Sequence, residues 1–294
     1  MKIVKYKGGL GNQLFQYAFA RLLELKYGFE DVLSDFTYYG GITNDNVRKA
    51  RILSLNIKYQ PADIKDIRSI CKLTHSTNPT KLLYKTKLFI EKEINKEYYF
   101  ERDRSYVDPE KILNHKYYDG YWQSWRYVEE VGQYLRDEIK PRDPLSMKTR
   151  KTIEEISNRN AVFLGVRRGD YLANKKARDH FGYFNQDYFD EAIKIIKKKV
   201  KNPVLYVFSN DIGWVKDNLD FDCETIFREN EDQVSDLEEL FIMSSCKHAI
   251  IVNSTFYWWG AWLINNPNKV VIAPKNWFAD GSLIEIVPED WFKI

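Results

Sequence analysis

The chain has 294 residues, 44% hydrophobic and 30% charged, which excludes a disordered polymer and allows one large domain or two of ordinary size. Its 45 basic and 42 acidic side chains leave a formal charge of +3, too little for a nucleic-acid-binding surface. Three distant cysteines and four scattered histidines give neither a disulfide framework nor zinc-site spacing.

The N-terminus, "MKIVKYKGGLGNQ", lacks an apolar signal region, and no apolar run reaches the ~18 residues of a membrane span. A cytoplasmic protein is therefore expected. "KIVKY" predicts a strand, "GGLGNQ" a loop, "LFQYAFARLLELKYG" a helix closed by Gly28, and "DVLSD" a second strand. From Ile57 to Tyr118 the pattern weakens into polar and helical patches such as "KLLYKTKLFIEKEI", without clear strands. "KPRDPLSMK" (Lys140–Lys148), with two prolines, predicts a boundary between domains 1–145 and 146–294.

The second half alternates. Strands are predicted at "AVFLGV" (Ala161–Val166), "PVLYVF" (Pro203–Phe208), "HAIIV" (His248–Val252) and "KVVIA" (Lys269–Ala273). Helices are predicted at "NQDYFDEAIKIIKKKV", with Phe189, Ile193, Ile196 and Val200 on one face, at "DQVSDLEELFIMSSC" and at "FYWWGAWLI". Such alternation implies a parallel α/β sheet. The basic run "KIIKKKVK" (Lys194–Lys201) reads as a solvated helix face, with peripheral membrane contact as the alternative.

Ligands of open α/β sheets sit beyond the carboxyl ends of the strands. After the first of these strands come Arg167, Arg168, Gly169 and Asp170; after the second, Ser209, Asn210 and Asp211; after the third, Asn253, Ser254 and Thr255, where a helix starts. Two planar guanidinium forks and the free N–H groups of a helix start suit phosphate oxygens. Adjacent strand residues point to opposite faces, so Arg167 and Arg168 have different jobs. Asp170 could fix an arginine, and an Arg–Asp structural pair is the competing use.

"GGLGNQ" is not a dinucleotide fingerprint, because Leu14 stands where the third glycine belongs. The loop would let a ligand approach Gly11, with Asn12 and Gln13 offered to hydroxyls; a purely structural turn fits these residues equally. "DFD" (Asp220, Asp222) has metal-binding spacing but follows a helix, so a solvated loop is expected and no metal site. Trp258, Trp259 and Trp262 have the spacing of a core helix face.

Together "GGLGNQLFQYAFA" (Gly8–Ala20), "VRRGDY" (Val166–Tyr171), "FSND" (Phe208–Asp211) and "DLEELFIMSSCKHAIIVNSTFYWWGAWL" (Asp236–Leu263) resemble the bacterial α-1,2-fucosyltransferases of glycosyltransferase family 11. The resemblance implies a GT-B fold of two Rossmann-like domains facing a cleft, with acceptor on the N-terminal side and donor on the C-terminal side. It implies GDP-β-L-fucose as donor, inversion, no cofactor or metal, and a glycan acceptor, by default a galactose O-2. By it Arg168 holds the diphosphate, with Arg167 and Asp170 in the same catalytic motif. Asp211 meets guanine, Ser254 and Thr255 meet the diphosphate, and Gly165, Ser209 and Asn253 line the donor site. Gly11, Asn12 and Gln13 lie near the transferred sugar or acceptor. The family pattern usually carries His where this chain has Gly165. Competing expectations are a same-fold transferase of another nucleotide sugar and an inactive sugar-nucleotide-binding protein.

Overall fold

A computed structural model describes residues 1–40, 50–73, 81–168, 179–180, 182–229, 235–282 and 284–294. The chain forms two compact units, 1–142 with Ile284–Ile286, and 143–283 with Val287–Ile294.

The first unit is built on a five-stranded parallel sheet. Its strands are β1 (Lys2–Lys5), β2 (Val32–Asp35), β3 (Gln60–Pro61), β4 (Tyr98–Phe100) and β5 (Tyr117–Asp119), in the order β3-β2-β1-β5-β4. The chain leaves β1 toward β2 on one side and places β5 on the other, so the sheet has its switch point between β1 and β5. The helix Leu10–Leu25 follows β1. It begins earlier than the sequence pattern suggested, and Gly11, Asn12 and Gln13 form its first turn rather than a loop. Gly9 is its N-cap and Gly8, at φ +84°, makes the turn that only glycine takes without strain. From Leu10 to Leu23 only Asn12 is not buried, which is why an apolar pattern broader than one stripe runs along it. Gly28, at φ +70°, ends it by donating to Glu24 O.

The missing strands of residues 57–118 are two or three residues long. β3 is exposed and β4 only partly buried, so neither carries an apolar run. The helix expected at "KLLYKTKLFIEKEI" is present as Lys81–Ile94.

The second unit holds a six-stranded parallel sheet. Its strands are β6 (Asn160–Val166), β7 (Pro203–Ser209), β8 (Glu224–Phe227), β9 (His248–Ile250), β10 (Val271–Ala273) and β11 (Phe292–Lys293), in the order β11-β10-β9-β6-β7-β8. β6 is buried from Ala161 to Val166, as a strand with helices on both faces must be. Its register with β7 runs from Asn160↔Pro203 to Val166↔Ser209, which brings the two carboxyl ends level. The switch point falls between β6 and β9. Helices Gln186–Lys199, Asp236–Ser244 and Thr255–Leu263 stand where the periodicity put them. Trp258 and Trp259 are fully buried and Trp262 nearly so, the core role their spacing predicted. Edge strands β8 and β11 were not foreseen; β8 is partly exposed, β11 exposed, and both are too short for an apolar run.

Candidate active site

Three adjacent strands, β9, β6 and β7, end side by side, and the polar residues expected at their tips come together there. Arg168 follows β6. Its backbone N–H donates to Asn210 Oδ1 at 3.0 Å, tying the β6 tip to the β7 tip. Its guanidinium carbon lies 3.4 Å from the centroid of the Trp214 ring, and its Nε is 3.9 Å from Asp211 Oδ2. Both members of that loose ion pair are partly exposed, so solvent screens it and it is weak as a stabilising contact. Stacking on an aromatic face holds the guanidinium plane while leaving its N–H edge available.

Asp211 is the N-cap of the helix Ile212–Asn218, accepting from Trp214 N–H at 3.3 Å. The cap explains why Trp214 returns to Arg168: three residues into a helix, the indole sits on the turn that Asp211 starts. Trp214 was not singled out from the sequence. The available signal was a Trp placed three residues after a strand-tip carboxylate.

At the β9 tip, Ser254 is the N-cap of Thr255–Leu263, in extended conformation and with no side-chain capping bond. The first-turn N–H groups therefore lack a side-chain cap from Ser254, the arrangement that receives anions in many folds. Arg167 is half-buried beside Arg168. Gly169 and Asp170 lie outside the described residues.

Other expected ligand groups are engaged by the protein itself. Ser209 Oγ accepts the Asp211 N–H at 3.0 Å and shapes the β7 turn. Asn253, 3% exposed, donates its amide to Trp277 O at 3.0 Å. Gly165 faces inward, against the Tyr257 ring. Glu239 sits in the first turn of Asp236–Ser244, and burial, with Asp236 adding to it and Arg228 opposing, pushes its carboxyl up to about 7. Asp222 of the "DFD" loop pairs with Lys197 at 2.7 Å with its side chain almost fully exposed, the solvated loop expected.

In the first unit the carboxyl ends of β1 and β5 carry a second polar cluster, which Tyr98 at the start of β4 reaches with its hydroxyl. Asp119 is buried and receives Lys5 Nζ at 3.3 Å, Tyr98 OH at 2.6 Å and the Lys7 ammonium. Burial alone would raise the Asp119 carboxyl, but Lys5 and Lys7 more than offset it and hold it well below the usual carboxylate range. Lys7 Nζ also lies 4.6 Å from the Tyr121 ring centroid. Asn12 Oδ1 accepts from Gln123 Nε2 at 2.8 Å, linking the helix start to the segment after β5. Gln13 is different: it is fully buried, its Nε2 donating to Gly8 O at 3.1 Å and its Oε1 accepting from Ile52 N at 2.9 Å. Its amide braces the glycine turn, and of Gly11, Asn12 and Gln13 in this first helical turn only Asn12 is partly exposed. Lys7, Asp119 and Gln123 were missed because isolated polar residues at or just past the ends of three- and four-residue strands carry no pattern.

Among the described residues no helix is long and apolar enough to cross a membrane. The chain is 29% identical to the O-antigen biosynthesis glycosyltransferase WbnK of Escherichia coli, over 98% of this chain and 98% of that protein. It is 30% identical to an alpha-1,2-colitosyltransferase of Escherichia coli, over 99% of this chain and 98% of that one. Among solved structures, Arabidopsis thaliana FUT1 in complex with GDP matches 94% of this chain and 70% of its own, with TM-score 0.50 and 11% identity, a likeness of fold. Both units are parallel α/β sheets of the GT-B class. The model of Glycosyl transferase family 11 matches residues 2–294, and the chain belongs to that family of glycosyltransferases.

Proposed function

We propose that the chain moves L-fucose from GDP-β-L-fucose to a glycan hydroxyl with inversion, giving an α-1,2 linkage, galactose O-2 being the acceptor position. The observation that carries this is the Arg168 guanidinium, stacked on Trp214 beside Asp211 and level with the helix start at Ser254. The anomeric C–O bond to the diphosphate breaks as the acceptor oxygen bonds to the opposite face, and the acceptor proton leaves to solvent or a base. Negative charge grows on the departing diphosphate, and Arg168 with the N-terminus of the helix Thr255–Leu263 stabilises it. Asp211, a carboxylate with two acceptor oxygens, suits the N1–H and 2-amino group of guanine. The first unit takes the acceptor, with Asn12 as a hydroxyl partner.

A second donor has its own support: one full-length relative is named as a colitosyltransferase. Purified protein should therefore be given GDP-fucose, GDP-colitose and other nucleotide sugars with a panel of galactose-terminated acceptors, and product linkage assigned by NMR. Fucosyl transfer to O-2 supports the proposal. Transfer only from another donor moves the chain to the second reading, and no transfer from any donor defeats both. The same assay in excess EDTA should retain its turnover, because on this reading an arginine and a helix N-terminus carry the diphosphate charge. Loss in EDTA with recovery in Mn²⁺ or Mg²⁺ would contradict that.

A further inference from the structure

The floor beneath the strand tips is made by Tyr257, which the reaction scheme leaves without a role. Tyr257 belongs to the first turn and a half of Thr255–Leu263 and is 5% exposed. Its hydroxyl lies 3.3 Å from both Val166 O and Phe208 O, sharing one proton between them. These are the last peptides before Arg167 on β6 and before Ser209 on β7, and the two strands run level there. A Cβ on Gly165 would fall 2.5 Å from Tyr257 Cδ2 and 2.6 Å from its Cγ. Cγ is not a free side-chain end; the whole ring would have to move. Position 165 is thus glycine because the phenol occupies the space that a strand side chain would take.

We infer that Tyr257 and Gly165 form one positioning unit: the phenol, admitted by the glycine, sets the spacing of the β6 and β7 tips and so of Arg168 and Asp211 toward the nucleotide. Tyr257 is a positioning residue, since the groups it touches are backbone carbonyls and the Gly165 backbone. It ties the two tips from below, as the Arg168 N–H to Asn210 bond ties them at the top. The inference rests on the second unit being the nucleotide site.

The test compares wild type, Tyr257→Phe, Tyr257→Ala, Gly165→Ala and the double variant Gly165→Ala/Tyr257→Ala. Each is measured by thermal melt and by calorimetric titration with GDP, ADP, UDP and CDP. Tyr257→Phe keeps the ring and should melt within a few degrees of wild type, yet bind the preferred nucleotide about three- to tenfold more weakly, the scale of one net hydrogen bond. Gly165→Ala should weaken it by more than tenfold, since backbone or ring must shift. In the double variant the two effects should combine to less than their product, because the ring that clashes is gone. A folded Tyr257→Phe with wild-type affinity, whatever its melting temperature, or two independent multiplicative effects, would overturn the inference. If Gly165→Ala does not fold, Tyr257→Phe decides alone. If wild type prefers a nucleotide other than GDP, the GDP-sugar donor reading fails while the same comparison on the preferred nucleotide still decides the pair. If wild type binds none, the inference falls.

Discussion

The Arg168 guanidinium stacks on Trp214 at 3.4 Å and approaches Asp211 only to 3.9 Å, and among the described residues it makes no closer polar contact. It is held by a face and left open at its edge, as a phosphate-binding fork must be. Arg168→Ala should lower kcat by about 10²–10³-fold, the scale of removing one preorganised donor to developing charge. Arg168→Lys should recover little, since a point charge neither stacks as a plane nor grips two oxygens. Trp214→Ala keeps the charge but frees it, and should cost about 0.5–2 kcal/mol in kcat/KM. Steady-state kinetics on variants shown folded by thermal melts check the order Arg168→Ala, Trp214→Ala, wild type. Arg167→Ala should be the milder arginine variant, and a dead Arg167→Ala beside an active Arg168→Ala would reverse the two faces.

Asp211 has two uses that different substitutions separate. As helix N-cap it contributes about 1 kcal/mol to stability, and asparagine is an equally good cap. As a charged acceptor for guanine it should contribute about 1.5–3 kcal/mol to GDP binding, which asparagine cannot replace. Asp211→Asn is expected to melt like wild type and to bind GDP weakly; Asp211→Ala loses on both counts. Calorimetry giving wild-type GDP affinity for both would take Asp211 out of the base site.

The second sheet was legible because its central strands are buried on both faces: Ala161–Val166 and Val204–Phe208 are continuous apolar runs, and each ends abruptly on polar residues at one sheet edge. Burial on two faces writes itself into every residue, while short edge strands such as Gln60–Pro61 or Phe292–Lys293 depend on pairing alone and leave no periodicity. Site residues followed the same rule. Arg168 and Asp211 stood out as charges ending apolar runs. Trp214 and Tyr257 did not, because an aromatic on a helix reads as core until its neighbour across space is known. For Gln13 the sequence leaves a ligand group and a structural turn equally open, because composition cannot tell an amide that braces a turn from one that meets a substrate.

The two displaced carboxyl groups predict opposite limbs in stability against pH. Asp119 is held below its unfolded value of about 3.9 by Lys5 and Lys7, so its contribution is fully present above about pH 4 and is lost as pH falls further. Glu239 is pushed up to about 7, so its ionisation opposes folding, and stability should decline from about pH 4.5, near its unfolded value, to 7. Urea melts across this range should show Asp119→Asn weakened by about 3–5 kcal/mol at neutral pH, as the buried Lys5 and half-buried Lys7 ammonium groups lose their partner. Glu239→Gln should instead gain stability at pH 8 and little at pH 5. A Glu239→Gln curve parallel to wild type at every pH would show that this carboxyl does not titrate near neutrality.

The first turn of Leu10–Leu25 supplies a test between scaffold and ligand contact, because Gln13 and Asn12 are neighbours with opposite surroundings. Gln13 spans from Gly8 O to Ile52 N without exposure; Tyr39 OH also donates to Gly8 O at 3.0 Å, so what Gln13→Ala strips of its partner is the buried Ile52 N–H. That should cost about 1–3 kcal/mol of stability. The Gly8 turn it braces should loosen, but at a temperature where the variant is folded its acceptor KM should change little. Asn12 is half-exposed and bonded to Gln123, so Asn12→Ala should melt close to wild type while raising the acceptor KM. Nucleotide affinity should be unmoved in both, since neither residue belongs to the second sheet. Acceptor titrations at saturating donor, paired with thermal melts, decide the assignment. An Asn12→Ala variant with unchanged acceptor KM, or a stable Gln13→Ala with a raised one, would exchange the roles given to the two amides.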